Sequence, residues 1–256
     1  MSQNVKAYFE HHSHDYANRH TQFYPLIANY IKDIVKANDI QNSNNIKLLD
    51  IGCGDGGFIK TLLEANVKID YFATDVSLGM IELAKANFNN SNIRLFVADV
   101  FNIPIKENVK FDIIHVDSVL HHLVDKTQKK SVKLVKQIIE LLVTKLSDNG
   151  ILIVEEWAFL SYIVPTFTSF IIFYGLKFIN FLDLDLSFTP EIRPGLEVNF
   201  LHPNLLFSIL NNYGEVSLFD KSKMEFPFSY RFFLLREKSH ISFILRVAKE
   251  ELQLPT

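Results

Sequence analysis

Apolar residues along this chain follow two alternating rhythms. Short, nearly unbroken runs recur at IKLLDI (46–51), IDYFATDV (69–76), NIRLFVADV (92–100), FDIIHVDSV (111–119) and GILIVEEW (150–157). Runs of this kind predict strands buried on both faces. Between them the apolar positions return at helical spacing. Phe58, Ile59, Leu62 and Leu63 mark one helix, and Ile81, Leu83, Ala84 and Phe88 the next. Val132, Val135, Ile138, Ile139, Leu142, Val143 and Leu146 mark a long amphipathic helix that stops at SDNG. Strands alternating with helices predict an α/β fold with a parallel sheet. Ahead of it, residues 4 to 37 read as helix, with Pro25 suggesting a break in two, and 38–45 as a polar loop. Behind it, Leu205, Leu206, Ile209 and Leu210 predict a helix begun by His202-Pro203. EVSLFDK (215–221) and FSYRFFLLRE (228–237) then read as an antiparallel hairpin, and 239–254 as a last helix.

The polar residues that end the strands carry the chemistry. The first strand closes on Asp50 and runs into Gly52, Gly54, Gly56 and Gly57, a turn where a ligand can approach the backbone. Gly52, Gly54 and Gly57 satisfy G-x-G-x-x-G, which alone is a weak dinucleotide signature. An acid directly ahead of that turn would repel a pyrophosphate and attract an ammonium or a sulfonium. Asp75 ends the second strand, about twenty residues past the glycines, placed to accept the hydroxyls of an adenosine ribose. Asp99 ends the third and Asp117 the fourth. Ligands of open α/β sheets sit beyond the carboxyl ends of the strands, so four acids face one rim.

The D-x-G-x-G-x-G pattern from Asp50 resembles motif I of the class I S-adenosylmethionine (SAM) methyltransferases, and the likeness covers roughly 46–157 and 202–237. It implies a Rossmann-like, seven-stranded α/β sheet, mostly parallel with a C-terminal antiparallel hairpin and helices on both faces. It implies SAM as cofactor, held by Asp50, Gly52, Cys53 and Gly54, by Asp75 and Val76, by Asp99 and Val100, and by Asp117. D-S-V-L-H, Asp117 to His121, resembles motif IV of small-molecule members and makes His121 the expected general base, with Tyr8 or Tyr16 as its helper. The plainer reading of His121 or His122 is packing within the loop. DSVL lacks the N-P-P-Y or D-P-P-Y signature of DNA amino-methyltransferases. The implied function is methyl transfer from SAM to a small, partly hydrophobic acceptor. The rivals are a catalytically silent SAM-fold module at a membrane or partner surface, and a NAD(P)-dependent oxidoreductase.

Composition narrows this further. A chain of 256 residues, 48% apolar and with net charge −3, has no electrostatic footprint for nucleic acid. The single Cys53 excludes an intramolecular disulfide and fits a reducing, cytoplasmic compartment; no signal peptide is visible. HHSHDY (11–16) invites a metal reading, but adjacent histidines diverge on a helix, so no metal is expected. The 23 Phe, with 20 Lys against six Arg, match an AT-rich codon bias.

Their placement is uneven. AFLSYIVPTFTSFIIFYGL (158–176) carries no charge, and it stands between strand five and the last core helix. A single membrane span would put the final hairpin on the wrong side of the bilayer from its sheet. Two spans would need about forty apolar residues, and Pro165, Asp183 and Asp185 interrupt the run. The organisation expected is therefore a helical cap (1–45), a core (46–157 and 202–237), a hydrophobic lid (158–201) and a C-terminal helix (238–256). The second reading of 158–182 is peripheral contact with a membrane surface.

Overall fold

Five parallel strands build the frame: β1 (Lys47–Ile51), β2 (Asp70–Asp75), β3 (Arg94–Val97), β4 (Phe111–Asp117) and β5 (Leu146–Ser161). The structure is a computed structural model describing residues 3–13, 22–37, 46–88, 93–182, 184 and 195–247. β6 (Glu215–Met224) and β7 (Leu235–Arg246) complete a seven-stranded sheet of order β3-β2-β1-β4-β5-β7-β6, with β7 antiparallel to both of its neighbours. The expected Rossmann-like sheet is present, with its glycine turn at the centre.

Helices cover both faces because each strand of the middle is apolar on both. On one face lie α2 (Tyr24–Lys36), α3 (Gly57–Glu64) and α4 (Leu78–Asn87), whose Ile31, Ile59 and Ala84 are fully buried or nearly so. On the other lie α5 (Gln128–Lys145) and α7 (Pro203–Leu210), burying Val135, Ile139 and Leu142, and Leu206 and Ile209. Ser77 caps α4 by accepting from the Met80 N–H, and Thr127 caps α5 by accepting from the Lys130 N–H. α1 (Gln3–His11) stands outside these layers, and α6 (Phe167–Phe181) is the helix of the apolar insertion.

Two N-terminal helices are present as expected, and Pro25 lies in the first turn of the second, α2. Three expectations change. Strand five is twice its expected length because β7 pairs with it from Ile151 to Ser161, so the insertion starts inside the last parallel strand of the sheet. Phe228–Phe233 is a 3₁₀ turn, and the second strand of the hairpin begins only at Leu235. The helix expected over 238–256 is β7 as far as Arg246, and 248–256 lie outside the described residues. Ser239 to Leu245 are all buried between β5 and β6. A segment covered on every side carries no periodicity that separates helix from strand.

The insertion divides its aromatics. Phe159 is buried, with Ile172, Leu176 and Ile179, in a cluster that includes Tyr8, Phe200 and Tyr230, and Phe173 is buried as well. Phe167, Phe170, Phe178 and Phe181 point out to solvent.

Candidate functional site

The glycine turn is tied down from two sides. The N–H groups of Gly52 and Cys53 both donate to the Thr74 carbonyl at 2.7 and 2.9 Å, locking the turn to the end of β2. Gly52 has φ +69°, and a Cβ there would come 2.3 Å from Val119 Cγ2. The turn after β1 and the turn after β4 therefore touch, and only glycine permits it. Gly54, at φ +54°, differs: a Cβ there would meet nothing within 4 Å. Its backbone borders open space on the carboxyl side of the sheet, a place for a ligand to approach.

Asp75 holds the same turn through its side chain. Its two carboxylate oxygens accept from the Gly54 N–H (3.0 Å) and the Ser77 N–H (2.9 Å). Burial pushes its pKa up to about 6, and those N–H groups act against the rise. Each oxygen keeps a second lone pair, so the acid can still accept hydroxyls. Val76, the next residue, and Val100 are buried, and Asp99 is half-buried past the end of β3, accepting from the Phe101 N–H at 3.0 Å. Burial pushes the Cys53 thiol well up, so it stays protonated and serves as a small spacer.

Asp50 is less accessible than its place in the motif implies. Its Oδ1 lies 2.8 Å from His115 Nδ1 on β4, and His115 Nε2 lies 2.9 Å from Glu155 Oε2 on β5. Ser242 of β7 donates to the other oxygen of Glu155 at 2.6 Å. One buried polar line thus crosses four adjacent strands. Burial disfavours a charge on His115, yet its bonds to Asp50 and Glu155 outweigh that and carry its pKa up to about 10. Burial raises the Asp50 carboxyl, and the His115 bond opposes the rise. Among the described residues, Asp50 Oδ2 has no hydrogen-bond partner although it is buried. Asp117, one strand over, lies 3.3 Å from His240 Nε2 and accepts from the Ser118 hydroxyl at 2.7 Å. Tyr24 of α2 sits among these acids; burial, then Asp117 and Asp50, drives its phenol pKa well up.

His121 occupies the 3₁₀ turn Leu120–His122, two residues past Val119. Its Nδ1 is 2.6 Å from Glu156 Oε2, and Glu156 Oε1 accepts from the N–H groups of Leu120 and His121 at 2.7 and 3.3 Å. A carboxylate on Nδ1 fixes the tautomer that leaves Nε2 as the acceptor. The His121 ring is 4.9 Å from Phe200, and its carbonyl accepts from the Asn199 N–H at 2.7 Å. The Asn199 side chain is buried, and its Nδ2 has no partner among the described residues. His122 packs edge-on against Phe9 of α1 at 4.8 Å; burial, then the neighbouring His121, holds its pKa well below the usual histidine range. α1 roofs both halves of the crevice, since Glu10 accepts from the Leu78 N–H at 2.9 Å on the Asp75 side.

Tyr8 lies in the apolar cluster with Phe159 and Phe200, its ring stacked on His12 at 4.3 Å. Tyr16 falls outside the described residues. Pattern reading overlooked His115, Glu155, Glu156, Tyr24 and His240. A signal existed for three of them: a charged or titratable residue inside a run as apolar as FDIIHVD or GILIVEEW must have a partner, because burial without one is costly.

Known proteins agree with this geometry. The methyltransferase domain family matches residues 48–142. Malonyl-[acyl-carrier protein] O-methyltransferase of Acetivibrio thermocellus is 32% identical over 88 residues, which are 34% of this chain and 29% of that protein. Ubiquinone biosynthesis O-methyltransferase of Pelagibacter ubique is 31% identical over 122 residues, 45% of this chain and 50% of that one. The matches thus span between about a third and a half of these relatives' length. Among solved structures, the N-methyltransferase NodS of Bradyrhizobium japonicum, in complex with S-adenosyl-L-homocysteine, superposes with TM-score 0.57 at 13% identity. That superposition covers 96% of this chain and 99% of NodS. The acid-rimmed strands, the glycine turn and these likenesses converge: residues 48–142 match a methyltransferase domain, and the sheet around them has the fold of the class I SAM-dependent methyltransferases.

Proposed function

We propose that this chain moves a methyl group from SAM to a small, partly hydrophobic acceptor, with His121 as general base. The observation that carries the reading is the His121–Glu156 pair, with its turn pressed by Val119 onto the glycine turn. Base and cofactor site are thereby neighbours.

The residues fit SAM. The open flank of Gly54 gives the methionine part an approach to backbone, and the unpartnered Asp50 Oδ2 offers a buried acceptor to its ammonium. Asp117 closes the same end, Asp75 with Val76 takes the ribose, and Asp99 with Val100 the adenine edge. When bound, SAM supplies a methyl carbon made electrophilic by its sulfonium. The chain's own part is alignment, exclusion of water and handling of one proton. Glu156 keeps the Nδ1–H of His121 in place, so Nε2 takes the proton from the acceptor as its nucleophile meets the methyl carbon. The resulting imidazolium is stabilised by the carboxylate it already touches. Phe200, Phe159 and the α1 roof keep this side apolar, which suits an acceptor with a greasy body. A protonated, buried Cys53 accords with a reducing compartment.

Calorimetric titration with SAM and with NAD tests the cofactor, followed by an assay of S-adenosylhomocysteine release against a panel of phenols, carboxylic acids and amines. SAM binding with acceptor-dependent release supports the proposal. Binding of NAD in place of SAM would overturn it in favour of an oxidoreductase. SAM binding with no turnover on any acceptor would leave a binding module.

A further inference from the structure

α6 shows the protein two different faces. Its inner side, with Ile172, Phe173, Leu176 and Ile179, is buried against β5 and the cluster around Phe159 and Phe200. Its outer side carries Phe167, Phe170, Tyr174, Phe178 and Phe181, spaced three or four residues apart along one stripe. All five are exposed, Phe178 at 62% and Phe181 at 83%. A soluble surface helix normally places charge on that side.

The stripe does not end with the helix. The Phe167 N–H donates to the Val164 carbonyl, so the exposed Tyr162, Ile163 and Val164 adjoin its first turn. The Tyr162 N–H in turn donates to the Leu234 carbonyl, which brings up the 3₁₀ turn with Phe228 and Phe232, the latter 80% exposed. The charges of the two segments that build this face, 158–182 and 226–236, are Lys177, Arg231 and Arg236, with no carboxylate. Lys177 reaches Glu197 at 3.7 Å. Arg231 and Arg236 are exposed, and the Arg231 guanidinium stands over the Phe228 ring at 5.4 Å.

We propose that this aromatic face is a seat for an anionic lipid bilayer surface. Among the described residues no helix is long and apolar enough to cross a membrane, so α6 would lie along the surface, ring tips in the acyl boundary and arginines among the headgroups. Aromatic side chains favour that boundary. The face is the convex side of a helix with few hydrogen-bonding groups, which fluid lipid accommodates and a protein partner would have to match with a groove. A contiguous exposed apolar patch marks an interaction site. The charge gives the choice of bilayer: Arg231 and Arg236, exposed beside Phe228 and Phe232 with the exposed Glu225 at the edge of that turn, complement phosphatidylserine or phosphatidylglycerol headgroups.

The test is co-flotation of the full chain, without SAM, with phosphatidylcholine vesicles carrying or lacking 30 mol% phosphatidylglycerol (about a third anionic lipid). The chain should float with the anionic vesicles, less with the neutral ones, and less again as salt rises. Phe178→Ser combined with Phe181→Ser and Phe232→Ser should lower vesicle partitioning at least about tenfold at unchanged SAM affinity, since these rings lie outside the core. Arg231→Glu should weaken flotation on anionic vesicles alone. Absence of flotation would overturn the proposal. So would a concentration-dependent dimer in sedimentation that the same triple variant abolishes, because the face would then meet a second copy. Flotation by a chain that never binds SAM would keep the lipid seat and remove the methyl-transfer reading, so the two stand or fall separately.

Discussion

Consecutive residues of β5 put two glutamates on opposite faces of the sheet, and each holds a histidine. Glu155 meets His115, whose other nitrogen is taken by Asp50. Glu156 meets His121, whose Nε2 has no hydrogen-bond partner among the described residues. The chemistry of the two pairs looks alike and their capacities are opposite. His115 is clamped at both ring nitrogens and charged far above neutral pH, so it can neither take nor give a proton during turnover. His121 is held at one nitrogen and has the other to work with. What separates the proposed base from the structural histidine is the second nitrogen, not the carboxylate beside the first.

The comparison can be broken most forcefully at His115. His115→Ala leaves Asp50 and Glu155 buried and facing a void, which should cost about 3–5 kcal/mol in urea unfolding. If stability is unchanged, the polar line has no structural role. The pH dependence sharpens the same point. The folded pKa of about 10 lies above the unfolded histidine value, so the contribution is complete below about pH 6.5 and is lost as pH rises through about 10. Unfolding midpoints should fall across that alkaline window in the wild type, and His115→Ala should flatten the decline.

His121→Ala should cost less stability than His115→Ala, because Glu156 keeps the N–H donors of Leu120 and residue 121, and it should leave SAM affinity nearly as it is while depressing kcat by ~10²-fold or more. Loss confined to acceptor KM would make it a binding residue. A smaller effect belongs to Glu156→Gln, which retains a hydrogen bond and removes the charge that stabilises the imidazolium. We expect kcat lower by about tenfold with the acceptor KM little moved, whereas a purely structural Glu156 would lower folded yield and leave kcat of the remainder intact.

The smallest effect lies at Asp75. With a pKa of about 6, its carboxyl is ionised at pH 7.5 and largely protonated at pH 5. Its acceptor capacity for ribose hydroxyls then falls, so SAM should bind several-fold more weakly at the lower pH, on the order of 1 kcal/mol. Calorimetry at both pH values reads this directly, and Asp75→Asn should remove the pH dependence.

Much of the molecule was legible because its signals are local. The acid at each strand's end and the glycines after Asp50 are neighbours in sequence, so the crevice could be located from a dozen residues. The histidine proposed as base, His121, was visible as a position but its pairing was not: Glu156 reaches it only through the β4–β5 register, which aligns Asp117 with Glu155. β7 was misread for a related reason. Its place between two strands buries Ser239 to Leu245 alike and erases the alternation that marks an ordinary strand. The aromatic insertion was visible as a bias, while the division of its rings between core and solvent depends on which side of α6 meets β5.

The order β5-β7-β6 has a consequence for how the molecule is made. β6 leaves the ribosome before β7, yet it cannot join the sheet, because the strand it pairs with has not been synthesised. The outer edge of β5 likewise waits for Ile241 to Leu245, and until Ser242 arrives one oxygen of Glu155 lacks its donor. Contacts between distant parts of a chain form slowly. β7 therefore has to carry β6 onto the edge of β5, and its arrival supplies the last hydrogen bond of the buried polar line beneath the cofactor crevice.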